Sequence, residues 1–361
     1  MICRKDEREN SRKPKVLMVG PGRDVKGGIS TVVNTYYQVG LDKKVDLKYI
    51  ASMEDGNRFK KLTVAVRAYV EFCRVLKYYD IIHIHMAAQA SFWRKAFFVR
   101  KAHKASKYVI IHQHGGDFEG FFYGQSDERK KQMIRSVFRT ADKVLVLSEE
   151  WADFFRGDIC DGSKITILYN SVPMPAYRKI DYTDHKVLFL GRLSKEKGSH
   201  DLLKVIPKVL RQVPDASFIF GGDGEMDQSK EIAKINGIEE HVRFLGWISG
   251  EERERYLEDV SVFVLPSYHE GMPMAVLEAM SYGMATISTD VGGIPQIISD
   301  GINGVLISAG DVGALADALV SLLQDSEKKR RLGQTASDYI EENFNIEKNI
   351  ETLYRLYMDL C

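Results

Sequence analysis

Val262-Phe-Val-Leu-Pro-Ser-Tyr-His-Glu-Gly-Met-Pro-Met-Ala-Val-Leu-Glu278 reads as a strand, a loop and the first turns of a helix. Val262–Leu265 is an unbroken apolar run, the composition of a strand buried on both faces of a parallel sheet. A helix starts near Pro273 or Met274 and runs to Tyr282. Gly271 allows a close backbone approach, and the free amides at the helix start favour an anion or sugar hydroxyls. Glu270 sits in the loop and Glu278 in the helix. Either alone reads as a cap or a solvated carboxylate; two glutamates bracketing a strand–Gly–helix junction point to function.

The same grammar extends outward in both directions. Lys186–Leu190, Ser217–Phe220, Val242–Leu245, Ala285–Ser288 and Gly304–Leu306 read as further strands, with helical patterns at Ser199–Val213, Gln228–Asn236, Gly250–Asp259 and Val312–Leu323. Before them, strand-like Lys15–Gly20, Ile81–His85, Tyr108–His112, Lys143–Leu147 and Ile165–Leu168 alternate with helical Arg58–Tyr79, Phe92–Ala105, Glu128–Arg139 and Glu149–Phe155. Such alternation predicts parallel sheets wrapped by helices. The restart after a linker at Asn170–Asp184, with Pro173 and Pro175, predicts two of them, as the length of 361 residues does. The expected fold class is α/β: two doubly wound domains facing a central cleft, with ligands beyond the carboxyl ends of the strands.

Composition excludes several classes. With 44% apolar and 28% charged residues the chain is neither disordered nor fibrous. It has no apolar run of about 18 residues, the length a membrane-spanning helix needs. Met1 to Lys15 is charged and lacks the apolar core of a secretory signal. Cys3, Cys73, Cys160 and Cys361 are scattered, against a zinc site or a disulfide framework, so the cytoplasm is the expected compartment. The net charge of +1 hides a split: residues 1–180 carry 33 lysines and arginines against 20 acids, the rest 18 against 30. Halves of opposite sign suggest different partners.

The second chemical stretch is Val187-Leu-Phe-Leu-Gly-Arg-Leu-Ser-Lys-Glu-Lys-Gly198. The strand ends at Gly191, and Arg192 and Lys197 project from the loop before a helix start. A planar fork and a point charge beside helix amides make a diphosphate grip; either cation alone would read as a solvated surface group.

These motifs, with Asp290-Val-Gly-Gly-Ile-Pro295, resemble the retaining glycosyltransferases of family 4 (glycosyl transferases group 1) over nearly the whole chain, most densely from Val187 to Ser308. The resemblance implies a GT-B architecture of two Rossmann-like domains. It implies an acceptor-binding domain at 1–175, with a terminal helix at 344–361 packing back onto it, and a donor-binding domain at 176–343. Arg192 and Lys197 match the pair that binds the donor diphosphate. Glu270 matches the glutamate facing the transferred sugar, and Glu278 the one accepting bonds from the ribose hydroxyls. The amides of Gly271, Met272, Pro273 and Met274 match the segment contacting sugar and phosphate. Gly222-Asp223-Gly-Glu225, with Gly191, matches a loop near the nucleotide, though Gly-Asp-Gly is also an ordinary turn. Two departures are Gly271-Met-Pro273, where the family often has Gly-x-Gly, and Pro295-Gln296, where it often has a glutamate.

In the first half, Gly27-Gly28-Ile29 resembles the family's glycine loop; read alone it is a helix-start turn. His83-Ile-His85 and His112-Gln-His114 each put two imidazoles on one strand face. A metal pair is geometrically possible there, and hydrogen-bonded wall residues are the plainer reading. His114, before Gly115-Gly116-Asp117, matches the family's active-site histidine, with His112 the neighbouring alternative.

The resemblance implies transfer of a sugar, with retention, from a nucleoside-diphosphate sugar, expected to be uridine-linked, to a glycan or lipid-linked acceptor in cell-surface polysaccharide synthesis. No cofactor is expected. The sequence lacks an Asp-x-Asp motif, so no metal is expected either, and nucleic acid is not an expected partner. A GT-B-shaped sugar-nucleotide epimerase and a non-enzymatic membrane-surface protein are the competing readings. On a helical wheel, Trp93 and Phe97 share an arc with Arg94, Arg100, Lys101, Lys104 and Lys107. Residues 92–107 are therefore expected to touch an anionic membrane, placing the protein peripherally on its inner face; the plain alternative is a basic helix whose aromatics pack on a neighbour.

Overall fold

The computed structural model describes residues 13–115, 117–176 and 180–361. Gly116, the first twelve residues and three residues of the linker expectation lie outside the described residues. The chain divides into two compact units, one of the residues up to Leu168 with Glu347–Cys361, the other Tyr169–Ile346.

In the first unit, strands β1 (Lys15–Gly20), β2 (Asp46–Ala51), β3 (Ile81–Met86), β4 (Tyr108–Gln113), β5 (Lys143–Val146) and β6 (Ile165–Ile167) form one sheet in the order β2-β1-β3-β4-β5-β6. Every pairing is parallel. Helices on both faces are why β3 is buried along its whole length. β2 was not expected: it is an edge strand with only Ile50 fully buried, so it lacks the continuous apolar run of its neighbours. The helix Ile346–Asp359 belongs largely to this unit and buries Ile350, Leu353 and Tyr357, a stripe at helical spacing.

The expected basic helix spans Ala90–Lys104, and it corrects part of the membrane-facing arc. Phe92 is fully buried, and Trp93 packs edge-on against Phe92 and Phe121, at 5.0 and 6.2 Å between ring centroids. Arg94 is partly covered and Lys95 is buried. Phe97, Arg100, Lys101 and Lys104 stay exposed. The wheel gave the angular order of the side chains but not which of them a neighbouring element covers.

In the second unit, β7 (Lys186–Leu190), β8 (Ser217–Gly221), β9 (Val242–Gly246), β10 (Val262–Leu265), β11 (Ala285–Thr289) and β12 (Val305–Ile307) are ordered β12-β11-β10-β7-β8-β9, again all parallel. The expected doubly wound α/β architecture is thus found in each unit. A helix the apolar pattern did not reveal, Ser326–Asn343, is mostly charged and buries a narrow row containing Leu332, Ala336 and Ile340. Each sheet reverses its direction of growth once, between β1 and β3 and between β7 and β10. At such a switch point the two following loops part and leave a crevice for a ligand.

Candidate active site

The loops after β7 and β10 flank the second unit's switch point and hold most of the expected donor-side residues. Ser194 starts the turn Lys195–Lys197, its hydroxyl accepting from the Lys197 amide at 3.3 Å. Gly198 then takes φ +69°, and a Cβ there would stand 2.0 Å from the Pro266 carbonyl oxygen. Only glycine lets the two loops touch at this point. The contact aligns Lys197 with Glu270, Nζ to Oε1 2.5 Å, and Ser267 donates to the same oxygen at 2.8 Å. Glu270 is 8% exposed. Arg192, on the same β7 loop, is exposed.

The remaining loops clasp this pair through backbone. A Cβ on Gly222 would lie 1.7 Å from the Gly191 oxygen, and the Leu193 amide donates to the Asp223 oxygen at 2.6 Å. The Gly293 amide donates to the Gly271 oxygen at 2.7 Å. Met272 and Met274 are buried, and the Met272 carbonyl accepts from Asn170. Pro273 ends the loop, and the helix Met274–Tyr282 begins with no side-chain cap, so its first amides keep their polarity for a ligand.

Glu278, one turn into that helix, is gripped by both guanidinium nitrogens of Arg253, on the helix Gly250–Asp259. Burial raises the Glu278 carboxyl above its ordinary range, and the Arg253 charge opposes this. Arg253 was not expected, since the charged run Glu251-Glu-Arg-Glu-Arg255 reads as a solvated face.

The first unit gathers the four histidines at the carboxyl ends of β3 and β4. His85 lies opposite His112 in the register, and the His114 amide extends the pairing to the Met86 oxygen at 2.7 Å. The His83 and His85 rings stack with centroids 4.6 Å apart, and those of His112 and His114 lie tilted at 4.0 Å. His85 Nδ1 meets His114 Nε2 at 2.8 Å, and His83 Nε2 meets His112 Nδ1 at 3.3 Å. The Tyr357 hydroxyl, from the last helix, reaches His83 Nδ1 at 2.5 Å. With the phenol donating, His83 carries its proton on Nε2 and passes a hydrogen bond to His112. Burial holds the imidazoles neutral. His83 is pushed down to about 3, and His85, His112 and His114 fall well below the ordinary value, like-charge neighbours adding to the desolvation. His114 alone is partly open to solvent.

His83, His85 and His112 offer nitrogens within 4.8 Å of one another. The tetrahedral edge for imidazole on zinc is about 3.3 Å. His83 spends both ring nitrogens, on Tyr357 and His112, while Nε2 of His85 and Nε2 of His112 are buried without a partner; the three lack a third free nitrogen, so this cluster is a poor fit for a divalent cation. Gly27 (φ +152°) caps the helix Gly28–Gln38, and a Cβ at Gly27 or Gly28 would meet nothing within 4 Å. Packing therefore gives no reason for Gly28, which leaves open space at the β1 side of this switch point.

Two family models match consecutive stretches: Glycosyltransferase Family 4 over residues 43–174 and Glycosyl transferases group 1 over residues 175–339. The chain is 27% identical to the N-acetyl-alpha-D-glucosaminyl L-malate synthase of Bacillus anthracis, over 78% of this chain and 75% of that one. It is 26% identical to the UDP-Gal:alpha-D-GlcNAc-diphosphoundecaprenol alpha-1,3-galactosyltransferase of Escherichia coli, over 78% and 76%. Among solved structures, the sucrose-phosphate synthase of Thermosynechococcus elongatus superposes with a TM-score of 0.81 at 20% identity, covering 97% of this chain and 99% of that one. The two models together span residues 43–339, and with the two parallel doubly wound sheets they make this protein a member of the family 4-like glycosyltransferases of GT-B fold.

Proposed function

We propose that the protein is a retaining, metal-independent glycosyltransferase that moves a sugar from a uridine-diphosphate donor to a hydroxyl on a glycan or lipid-linked acceptor. The observation that carries this reading is the Arg192, Lys197 and Glu270 constellation at the second unit's switch point. In it the second unit binds donor and the first unit binds acceptor. Lys197 exchanges its Glu270 partner for the donor diphosphate, Arg192 forks onto the same group, and Glu270 is freed to accept from the sugar. Glu278 serves the ribose, sharing its carboxylate with Arg253. The bond from C1 to the phosphate oxygen breaks, the acceptor oxygen attacks C1 from the same face, and the acceptor proton leaves on the diphosphate. Each cation or amide aimed at the departing charge contributes about 2–4 kcal/mol. The Escherichia coli relative, by its name, uses a galactose donor and a diphosphate-lipid acceptor; that is the precedent for the donor and acceptor classes. A panel of nucleotide sugars, scored by nucleoside diphosphate release and by the anomeric coupling of the product, tests the reading. Release that needs an acceptor, unchanged in EDTA and giving the donor's anomeric configuration, is expected. An inverted product or loss of activity in EDTA overturns the corresponding part.

Peripheral attachment to the cytoplasmic membrane face belongs to the same reading, and its best support is the helix Arg58–Val75. Phe59, Leu62, Val66 and Val70 are exposed, opposite the buried Ala68–Phe72 side. At 100° per residue they fall within an arc of about 80°. Arg58, Arg67 and Arg74 are also exposed, and the helix's one acid, Glu71, pairs with Lys48. An apolar stripe beside unbalanced cations suits anionic lipid. Among the described residues no helix is long and apolar enough to cross a membrane. Salt-sensitive co-sedimentation with anionic vesicles, lost on Phe59→Ser with Val66→Ser, is expected; equal, negligible binding to anionic and neutral vesicles overturns it.

A further inference from the structure

We infer that Arg253 is a positioning residue for ribose recognition: it makes Glu278 an acceptor for two hydroxyls at once, so that the site selects a ribonucleoside diphosphate over a deoxy one. Glu278 serves the ribose in the donor reading above, on which this role for Arg253 rests. Arg253 stands where a charge is least expected. In the helix Gly250–Asp259, Leu257 is buried, Arg253 and Tyr256 are partly buried, and the remaining residues are exposed. Positions 253, 256 and 257 are thus the inward stripe of a surface helix. Arg255, two places on, stays in solvent and meets Glu251 loosely at 3.9 Å. An arginine on the inward stripe is costly unless a carboxylate answers it. Glu278 does so with both oxygens: one guanidinium nitrogen lies 3.1 Å from Oε1, and the other closes on Oε2.

The two glutamates of this site are held differently. Glu270 is gripped through one oxygen, Oε1, by the Lys197 ammonium and the Ser267 hydroxyl. An ammonium is a point charge on a flexible stem and can turn to another anion. Glu278 is gripped by a planar fork on both oxygens, with both side chains largely covered. That pairing is stronger and fixes the carboxylate plane. An ionised carboxylate accepts at about four lone-pair positions, two on each oxygen. The fork takes one on each oxygen and leaves one on each. Two acceptors side by side are the complement of two neighbouring hydroxyls, a vicinal diol. The charge matters as much as the aim, because a protonated carboxyl would present a donor at one oxygen. Burial drives the Glu278 carboxyl towards that form, and the Arg253 charge opposes it. Glu278 follows Met274 by four residues, about 6 Å along the axis from the uncapped amides of the helix Met274–Tyr282. A diphosphate at those amides puts its ribose within reach of the carboxylate.

The test is calorimetric, on the full chain, with uridine diphosphate and with its analogue lacking both ribose hydroxyls. The unaltered chain is expected to bind uridine diphosphate about 100-fold more tightly than the analogue, roughly tenfold for each hydroxyl on a charged acceptor. Arg253→Met is expected to cut that ratio below about tenfold by weakening uridine diphosphate, with the analogue changed by no more than about threefold. Arg253→Lys keeps the charge without the fork; it is expected to fold normally and to give an intermediate ratio, and it carries the test if Arg253→Met fails to fold. A ratio that Arg253→Lys leaves unchanged overturns the fork as its cause. Equal weakening of both nucleotides in either variant shows that Arg253 only holds the fold, and overturns the positioning role. An unaltered chain that binds the two nucleotides equally overturns the diol recognition while leaving the donor reading in place; one that binds no uridine nucleotide overturns the donor reading itself.

Discussion

The two units solve the same problem of charge at a strand switch point in opposite ways. In the second, the buried charges are matched in advance: Glu270 holds Lys197, and Arg253 holds Glu278. In the first, four imidazoles are kept neutral by burial and bond one another in pairs. A matched pair costs little while empty and works by exchanging partners, since a diphosphate can replace the Glu270 carboxylate on Lys197. A neutral cluster has no charge to be matched and acts through hydrogen bonds alone.

The exchange model gives the largest expected effect. Arg192→Ala and Lys197→Ala should each lower turnover by about 100-fold or more, with an unchanged circular dichroism spectrum. Lys197→Ala also strips Glu270 of its partner and leaves a buried carboxylate held only by Ser267, so some loss of stability accompanies it. Glu270→Gln with Lys197→Ala should restore the stability without restoring turnover. Near wild-type turnover in either single variant would break the matched-pair view.

The two sites were unequally legible in the sequence, for physical reasons. Donor-side chemistry sits in short loops, each read directly from a strand, a glycine and a helix start. Its close-approach glycines announce themselves because no other residue fits. What escaped was Arg253, whose role depends on the helix Gly250–Asp259 packing beside Met274–Tyr282. The histidine tetrad needs the register that sets His85 beside His112, and Tyr357 joins it from 274 positions away. Alternation on one strand shows that His83 and His85 share a face; it does not show what stands opposite. Trp93 and Arg94 failed for the same reason, since a wheel orders side chains without showing what covers them.

A second prediction concerns pH. A histidine held neutral by burial has a folded value below its unfolded one of about 6.5. Its stability contribution is complete above that value and lost as pH falls towards the folded one. For His83 the window runs from there down to about 3, at a slope of about 1.4 kcal/mol per pH unit. His85, His112 and His114 act in the same direction. Urea unfolding at pH 7.5 and pH 5 should show the fold weakening sharply on the acid side, and His83→Phe should flatten that slope. An acid limb unchanged by the substitution would mean that His83 does not differ in protonation between the two states.

The smallest effect separates the two rows within the tetrad. Tyr357→Phe removes the hydroxyl that serves His83 Nδ1 and leaves that nitrogen buried without a partner, a cost of about 1–2 kcal/mol. His83 passes its hydrogen bond to His112, whereas His85 bonds His114, the imidazole nearest solvent. The phenol therefore anchors the last helix to the inner row without setting the tautomer of the outer one. Tyr357→Phe should lower the urea midpoint while changing kcat by no more than about twofold, which is within the reach of a small structural relaxation. A loss in kcat much larger than the loss in stability would show that the rows are coupled through the His112–His114 ring contact, and that the terminal helix tunes the open histidine rather than only holding the fold.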